Sequence, residues 1–271
     1  MVWCALAVPA TAGGPEDVVR VPAGESVLER AVRILSAFGP DEPVLSVTQL
    51  AARTGLHLAT TSRLVEHMVR LGLLTREDDR RVSVGMRLWE LGARAAPTRG
   101  LREVALPYLE DLHAVVGHHA QLAVREGTDV LFVERLSAPG AVINYSRVAG
   151  RLPLHASASG LVLLAAAPAG LQETVLNGPL RAFTDRTITD ARWLRQVLAQ
   201  VRRQGYAFNA GHVHPDAAGV AVPVRDRGGH VVAAVAVIVP NDPAARATIG
   251  VLQATARGIS RELSSHSVRF V

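Results

Sequence analysis

The segment from Ser46 to Val84, SVTQLAARTGLHLATTSRLVEHMVRLGLLTREDDRRVSV, constrains the fold more than any other part of the chain. Two short apolar-periodic runs each end at a glycine, Gly55 and Gly72, and the charged hexamer Arg76 to Arg81 then separates Leu73-Leu74-Thr75 from Val82-Ser83-Val84. Ser46 with Gln49 three residues on has the spacing of a capping box, so a helix opens at Val47 and closes near Arg53. A glycine just past the last helical residue supplies the left-handed turn that side chains resist. A second helix is expected from about Leu58 to Leu71, with Leu64, Met68 and Leu71 on its inner stripe and Val65 beside them. The Val82/Val84 alternation marks a strand, and the hexamer makes a tight hairpin tip.

Upstream, Leu28, Ala31, Val32, Leu35 and Phe38 recur at helical spacing behind Ser26, a fair N-cap, and Gly39-Pro40 stops that helix. Three helices and a hairpin in this order form a winged helix-turn-helix; a generic three-helix mini-domain with a solvated hairpin is the alternative. Met86 to Arg94 reads as a further helix broken near Pro97, and Leu101 to Val116 as a longer amphipathic one. Strand alternation then takes over at His119–Val124 and Asp129–Leu136, around the Glu126-Gly127-Thr128 turn. Asn144–Val148 reads as a third strand, Gly150–Leu154 as a turn, and Ser157–Ala167 as a helix of small residues. Thr189 caps a helix from Asp190 to Gln204, and Tyr206–Asn209, Gly219–Val224 and His230–Val239 complete an antiparallel sheet before a last helix, Ala244–Leu263. The expected class is α+β: residues 24–95 the winged helix-turn-helix, 96–117 a linker helix, and 118–271 a sheet-and-helix domain of a size that encloses a small ligand. Residues 1–23 are expected to be a disordered tail.

Composition narrows the function. The chain has 271 residues, and 49% are hydrophobic against 20% charged, which excludes a disordered chain and allows two domains. All 29 basic residues are arginines against 24 acidic ones, so the guanidinium forks that suit phosphate and guanine are abundant. The net charge of +5 is a weak hint of an acidic partner. One cysteine, Cys4, excludes a disulfide framework and favours a cytosolic, hence cytoplasmic, setting. The apolar opening MVWCALAVPATAGG lacks a basic flank and is too short to span a bilayer, so no membrane partner is expected. An enzyme is not expected: Ser157 and Ser159 lack a nucleophile-elbow context, Cys4 sits in the tail, and no carboxylate pair has productive spacing.

Taken together these motifs identify a resemblance to the IclR family of bacterial transcriptional regulators, from about Gly24 to Leu263. The resemblance rests on Leu50-Ala51-Ala52-Arg53-Thr54-Gly55-Leu56, Ala59-Thr60-Thr61-Ser62-Arg63-Leu64, Leu71-Gly72-Leu73-Leu74, and Val84-Gly85 with Leu88-Trp89-Glu90-Leu91-Gly92. In the C-terminal half it rests on Gly150-Arg151-Leu152-Pro153-Leu154-His155-Ala156-Ser157-Ala158-Ser159-Gly160, Arg203–Ala207 and Gly219–Val224. The resemblance implies an effector-binding domain related to GAF and PAS sensors, a homodimer or tetramer, and a short palindromic double-stranded operator. It also implies control by a small organic effector, such as a carboxylate or an aromatic, with either repression or activation as the output. No cofactor is implied. The sequence departs from the family pattern at Ala59, at Leu161, and at Gly211-His212-Val213-His214.

For DNA the candidates are Thr60, Thr61, Ser62 and Arg63 at the start of the third helix, with His57 and His67 on the same segment. Hydroxyls and free N–H groups there meet phosphate, and Arg63 meets phosphate or guanine. Arg53 at the second helix end is a candidate phosphate clamp, and Arg80 and Arg81 are candidates on a wing whose three positive and three negative charges cancel. For the effector the candidates are Arg147, Arg151, Leu154, Ser157, Ser159, Gly160, Asn209 and His212, the arginines to neutralise an acid and the helix start to offer N–H groups. Two other readings stand beside regulation: a sensor or scaffold whose helical domain contacts protein, and a metal module using His212 and His214 on alternate positions.

Overall fold

The computed structural model describes residues 25–39, 42–92 and 96–265. The expected tail at residues 1–23, residues 40–41, the end of the expected winged helix-turn-helix at residues 93–95, and residues 266–271 lie outside them. Contacts divide the chain between Ala95 and Ala96 into two compact units.

In the first unit, α1 (Val27–Ser36), α2 (Val47–Thr54) and α3 (Leu58–Arg70) surround one small core, and a wing follows. Ser26 with Glu29 and Ser46 with Gln49 both form complete capping boxes, so two helix starts have their free N–H groups satisfied locally. Gly55 closes α2 at φ 66°. The wing strands β2 (Leu74–Arg76) and β3 (Val82–Val84) pair antiparallel, and β1 (Val44–Leu45) adds a third strand along β3. Ile34, Leu45, Leu50, Leu56, Val65, Met68, Leu74 and Val82 fill the core. The inward stripe of α3 is Thr61, Val65 and Met68, one step round from the expected Leu64–Met68–Leu71 stripe, and Leu71 is exposed. The reason is the tertiary surface offered: α3 packs on α2 and β2 together, which selects the face carrying Thr61. In α1 only Ile34 is fully buried, while Leu28 and Val32 of the expected inner stripe are exposed. α4 (Met86–Gly92) follows the wing.

The second unit is a six-stranded antiparallel sheet covered on both faces. Its order is β6-β5-β4-β9-β8-β7, with β4 His119–Glu126, β5 Asp129–Ser137, β6 Arg151–Pro153, β7 Ala207–Ala210, β8 Ala217–Arg225 and β9 Val231–Pro240. On one face lie α5 (Ala96–Val116) and α9 (Thr248–Ser265), packed on Leu122, Val220, Val222, Val235 and Val237. On the other lie α6 (Ala158–Ala165), α7 (Ala169–Asn177) and α8 (Ala191–Gln204), packed on Phe132, Ala221, Ala234 and Ala236. In β8 and β9 alternation thus sends Val220, Val222, Val235 and Val237 to one face and Ala221, Ala234 and Ala236 to the other. Small residues let α6, whose residues are all buried, lie close on the sheet.

Four expectations change here. The residues expected as a linker helix belong to this unit: Leu101, Ala105, Leu109 and Leu112 of α5 sit in the core against α9 and β4, so its apolar stripe is buried within one domain. Asn144–Val148 forms no strand; the edge strand is Arg151–Pro153, paired with Asp129–Leu131. Asp190, not Thr189, caps α8, accepting the Trp193 N–H at 2.7 Å. The last helix begins as a 3-10 turn, Pro243–Ala247, capped by Asp242.

Gly160 is fixed by contact. A Cβ there would lie 2.2 Å from the Leu154 carbonyl oxygen, so the first turn of α6 and the preceding loop touch backbone to backbone. Gly160→Ala is expected to lower stability by about 3 kcal/mol or more, because backbone must move. Gly250→Ala, on an exposed position of α9 with open space around it, is the control and is expected to stabilise by about 0.5–1 kcal/mol. Urea unfolding of both variants checks the pair.

Candidate functional sites

The first site is the outer face of α3. His57 occupies its N-cap without a side-chain hydrogen bond, so the first N–H groups of this helix have no side-chain cap of the kind that serves α1 and α2. His57, Arg63 and His67 are exposed, and Thr60 and Ser62 are partly so. Thr61 is different, and the expectation that it meets phosphate is corrected. Its side chain is fully buried, and its hydroxyl donates to the His57 carbonyl at 3.2 Å. It is an anchor for the helix rather than a contact.

Arg53, expected as a phosphate clamp, also has an internal role. Its guanidinium donates to the Ala37 carbonyl at 3.1 Å and pairs with Glu42, which ties the end of α2 to the end of α1. On the wing, Arg81 is held by Asp79, with Nε–Oδ2 at 2.5 Å. Arg80 sits exposed at the tip with φ 66°, its N–H donating to the Glu77 carbonyl. The Asp79 carboxyl is held below its ordinary value, first because the Arg81 backbone N–H hydrogen-bonds it and then because the Arg81 side chain does.

The second site is a cavity at the α6 end of the sheet, enclosing about 450 Å³ together with its mouth. Its walls come from β4 (Gln121), β5 (Phe132), the segment Ile143–Ser146, β6 (Leu152), the start of α6 (Ala156, Ser157, Ala158), β7 (Asn209), the loop His212–His214, β8 (Ala217, Gly219) and β9 (Ile238). The space exists because the facing residues are small. Even one methyl at Gly219 would lie 3.4 Å from both Ala158 Cβ and Ile238 Cδ1.

Hydrogen bonds hold the walls. Gln121 Oε1 accepts from Ser146 Oγ at 2.6 Å and from Asn144 Nδ2 at 3.4 Å. His119 Nε2 lies 2.6 Å from the Val142 carbonyl, which can only accept, so Nε2 carries the proton and Nδ1 accepts from Ser137 Oγ at 2.9 Å. Across the cavity, Thr184 and Thr187 hydroxyls donate to the Gly211 and His212 carbonyls, each at 2.6 Å, and set the His212 loop. Ser157 caps α6 by accepting the Gly160 N–H at 3.1 Å.

Of the expected effector residues, the structure brings Ser157, Asn209 and His212 together in this cavity. It leaves out five. Arg147 and Arg151 are exposed and line no part of it, and Arg151 Nη1 lies 3.9 Å from Asp129 Oδ2. Leu154 is wholly buried in the α6 core, Gly160 serves the backbone contact described above, and Ser159 is buried away from the lining. Sequence reading missed Gln121, Asn144, Tyr145, Ser146 and Gly219. A polar glutamine inside an apolar alternating strand was the available signal for the first.

The cavity carries no cationic side chain other than histidine, and His212 is neutral: burial, with Arg186 nearby, pushes its pKa down to about 4. His214 packs edge-on to Tyr145 at 5.7 Å, and its Nδ1 accepts the Asp216 N–H. Among the described residues no cluster of three or more His, Cys, Asp or Glu is placed to hold a metal, so the module built on His212 and His214 finds no further ligand. Nor, among those residues, is any helix long and apolar enough to cross a membrane.

Comparison with known proteins decides the family. The profile described as Bacterial transcriptional regulator IclR C-terminal matches residues 93–265, and the IclR helix-turn-helix domain matches residues 27–78. The chain belongs to the IclR family. A crystal structure of an IclR homolog from Microbacterium hydrocarbonoxydans, complexed with 4-hydroxybenzoate, is 43% identical, with a TM-score of 0.84 over 89% of this chain and 100% of that one. The HTH-type transcriptional regulator XynR of Escherichia coli is 31% identical over 76% of this chain and 83% of its own length. KdgR of the same organism is 28% identical over 94% and 98%. This IclR-family chain is therefore a ligand-responsive, DNA-binding transcriptional regulator and not an enzyme.

Burial also lowers the pKa of His119 and of His155, so three histidines are held neutral in the fold. In the unfolded chain each takes a proton below its ordinary value near 6.5. The folded state binds fewer protons there, so stability present above that pH is lost as pH falls toward about 4 for His212. Urea unfolding between pH 7.5 and 4.5 is expected to show this decline, and His212→Gln is expected to flatten part of it.

Proposed function

We propose that this IclR-family regulator binds a palindromic operator as a homodimer through the outer face of α3, and that a small organic effector in the α6 cavity modulates the binding. The observation that carries the DNA half is the division of labour along α3. Thr61, Val65 and Met68 anchor one side, while His57, Thr60, Ser62, Arg63 and His67 face outward beside a helix start without a side-chain cap. Phosphate suits the N-terminus and the hydroxyls, since orphan N–H groups and the helix dipole both favour an anion. Arg63 reads a base edge or clamps phosphate, and Arg80 at the wing tip adds a backbone contact. The exposed apolar side chains Val27, Leu28 and Val32 on α1 support self-association. Two copies of α3 about one turn of DNA apart then read two half-sites. A cytoplasmic location follows from such a target.

The effector half rests on the cavity. It combines apolar walls with a few polar groups, the mixture that orients a small organic molecule. The similar Microbacterium protein, complexed with 4-hydroxybenzoate, supports a small organic ligand. Binding in one state and not the other shifts operator affinity, and the operator shifts ligand affinity by the same factor.

The test is a mobility-shift titration with DNA from the promoter region beside the gene. Arg63→Ala is expected to weaken binding about tenfold or more, the scale of one lost base or phosphate contact. Thr61→Ala, by contrast, is expected to lower the melting temperature. Unchanged affinity in Arg63→Ala, or absence of any salt-sensitive specific shift, would support a protein-contacting role for the first unit.

A further inference from the structure

Resting on the reading of the α6 cavity as the effector site, we propose that Asn209 and His212 form a hydroxyl-reading pole, and that the effector is a small aromatic molecule bearing a phenolic hydroxyl. Asn209 is 4% exposed, and its Nδ2 donates to the Ala156 carbonyl at 3.3 Å. Because that carbonyl can only accept, the orientation of the amide is settled: the nitrogen faces Ala156, and the oxygen is the atom left over. Asn209 Oδ1 is buried and has no hydrogen-bond partner, on a residue that lines the cavity. A buried acceptor without a partner is costly, and a ligand that brings a donor recovers the cost.

Three residues along, His212 presents the complementary group. Its Nδ1 is buried and without a partner in the same cavity. Held neutral, the imidazole is free to adopt the tautomer that donates from Nδ1. A hydroxyl satisfies both kinds of group, giving its proton to Asn209 Oδ1 and accepting from His212. A carboxylate does not, since its oxygens would face the amide oxygen and it carries no proton to give. This pole therefore selects a neutral donor over an acid.

The aromatic class follows from the surroundings. Tyr145 and His214 stand edge-on at the cavity with ring centroids 5.7 Å apart, and Trp193 packs beside His212 with centroids at 6.3 Å. Phe132, Leu152 and Ile238 line the interior with apolar surface. A flat ring fits between such walls, and its quadrupole favours edge contacts with other rings. A phenol keeps its proton at neutral pH, so it stays a donor.

The test is isothermal titration of the full chain at pH 7.5 with four probes: 4-hydroxybenzoate, 4-hydroxybenzyl alcohol, benzoate and 4-methoxybenzoate. Both hydroxyl-bearing probes are expected to bind, with benzoate and the methyl ether at least about tenfold weaker, the scale of one unpaired buried acceptor. Asn209→Leu is expected to abolish that preference by admitting benzoate as readily as the phenol. His212→Gln is the second variant, should Asn209→Leu fail to fold, and is expected to reduce the preference. Benzoate or methoxybenzoate binding as tightly as the phenols overturns the proposal, as does a hydroxyl preference untouched by both substitutions. Failure of all four probes to bind overturns it too. The effector reading itself is decided separately, by whether any compound in a thermal-shift screen of organic acids and sugars binds the wild type and loses its shift on Gly219→Leu, which fills the cavity.

Discussion

The second unit depends on how closely α6 approaches the sheet. That distance is set by the small residues Ala221, Ala234 and Ala236 beneath the helix, while Gly160 lets the first turn close on the Leu154 carbonyl of the preceding loop. With the helix so low, its first turn stands beside the ends of β7 and β8, and Ser157, Ala158, Asn209 and Gly219 come to share one space. A bulkier strand face would lift α6 and disperse them. The valines of the same strands fill the opposite face under α5 and α9, so tight packing on one side does not compete with the cavity on the other.

Electrostatics then sets the character of the site. Charge is kept at its outside, with Arg147 and Arg151 on the surface and Arg135 donating to the Ser146 carbonyl from behind the wall. The interior holds amides, hydroxyls and the neutral imidazole of His212. Such groups discriminate by the direction of a hydrogen bond rather than by net charge, and in a dry pocket a wrongly directed bond is penalised heavily. The first unit works the other way. Its candidate interface is open to solvent, and there arginine and an uncapped helix start offer long-range attraction with orientation supplied by a buried hydroxyl, Thr61.

Much of the fold was legible in the sequence because local rules and packing agreed. Ser46 with Gln49, Gly55, Gly205 and the alternating strands around Asp226–Gly229 behave as their chemistry dictates. Legibility failed where tertiary surfaces decide. Which of several apolar stripes on α3 turns inward depends on what α2 and β2 present, and that placed Thr61 in the core. The amphipathic pattern of α5 was plain, but pattern alone does not name the partner, and the partner is α9 and the sheet. Within the site, Ser157, Asn209 and His212 were visible from their motifs. The arginines were chosen for their charge, a property that sequence proximity cannot assign to a cavity. Gln121 was hidden because its role arises from Asn144 and Ser146, more than twenty residues away in the chain.

The floor built from Ala158, Ala217 and Gly219 has an evolutionary consequence. Each of these positions can gain a methyl or two by single-nucleotide drift, and every gain shortens the largest molecule that fits without touching the operator-reading half. On the proposed reading of this cavity as the effector site, descendants of one ancestral regulator can thus be retuned from bulky to compact metabolites by filling in a basin, leaving promoter choice intact.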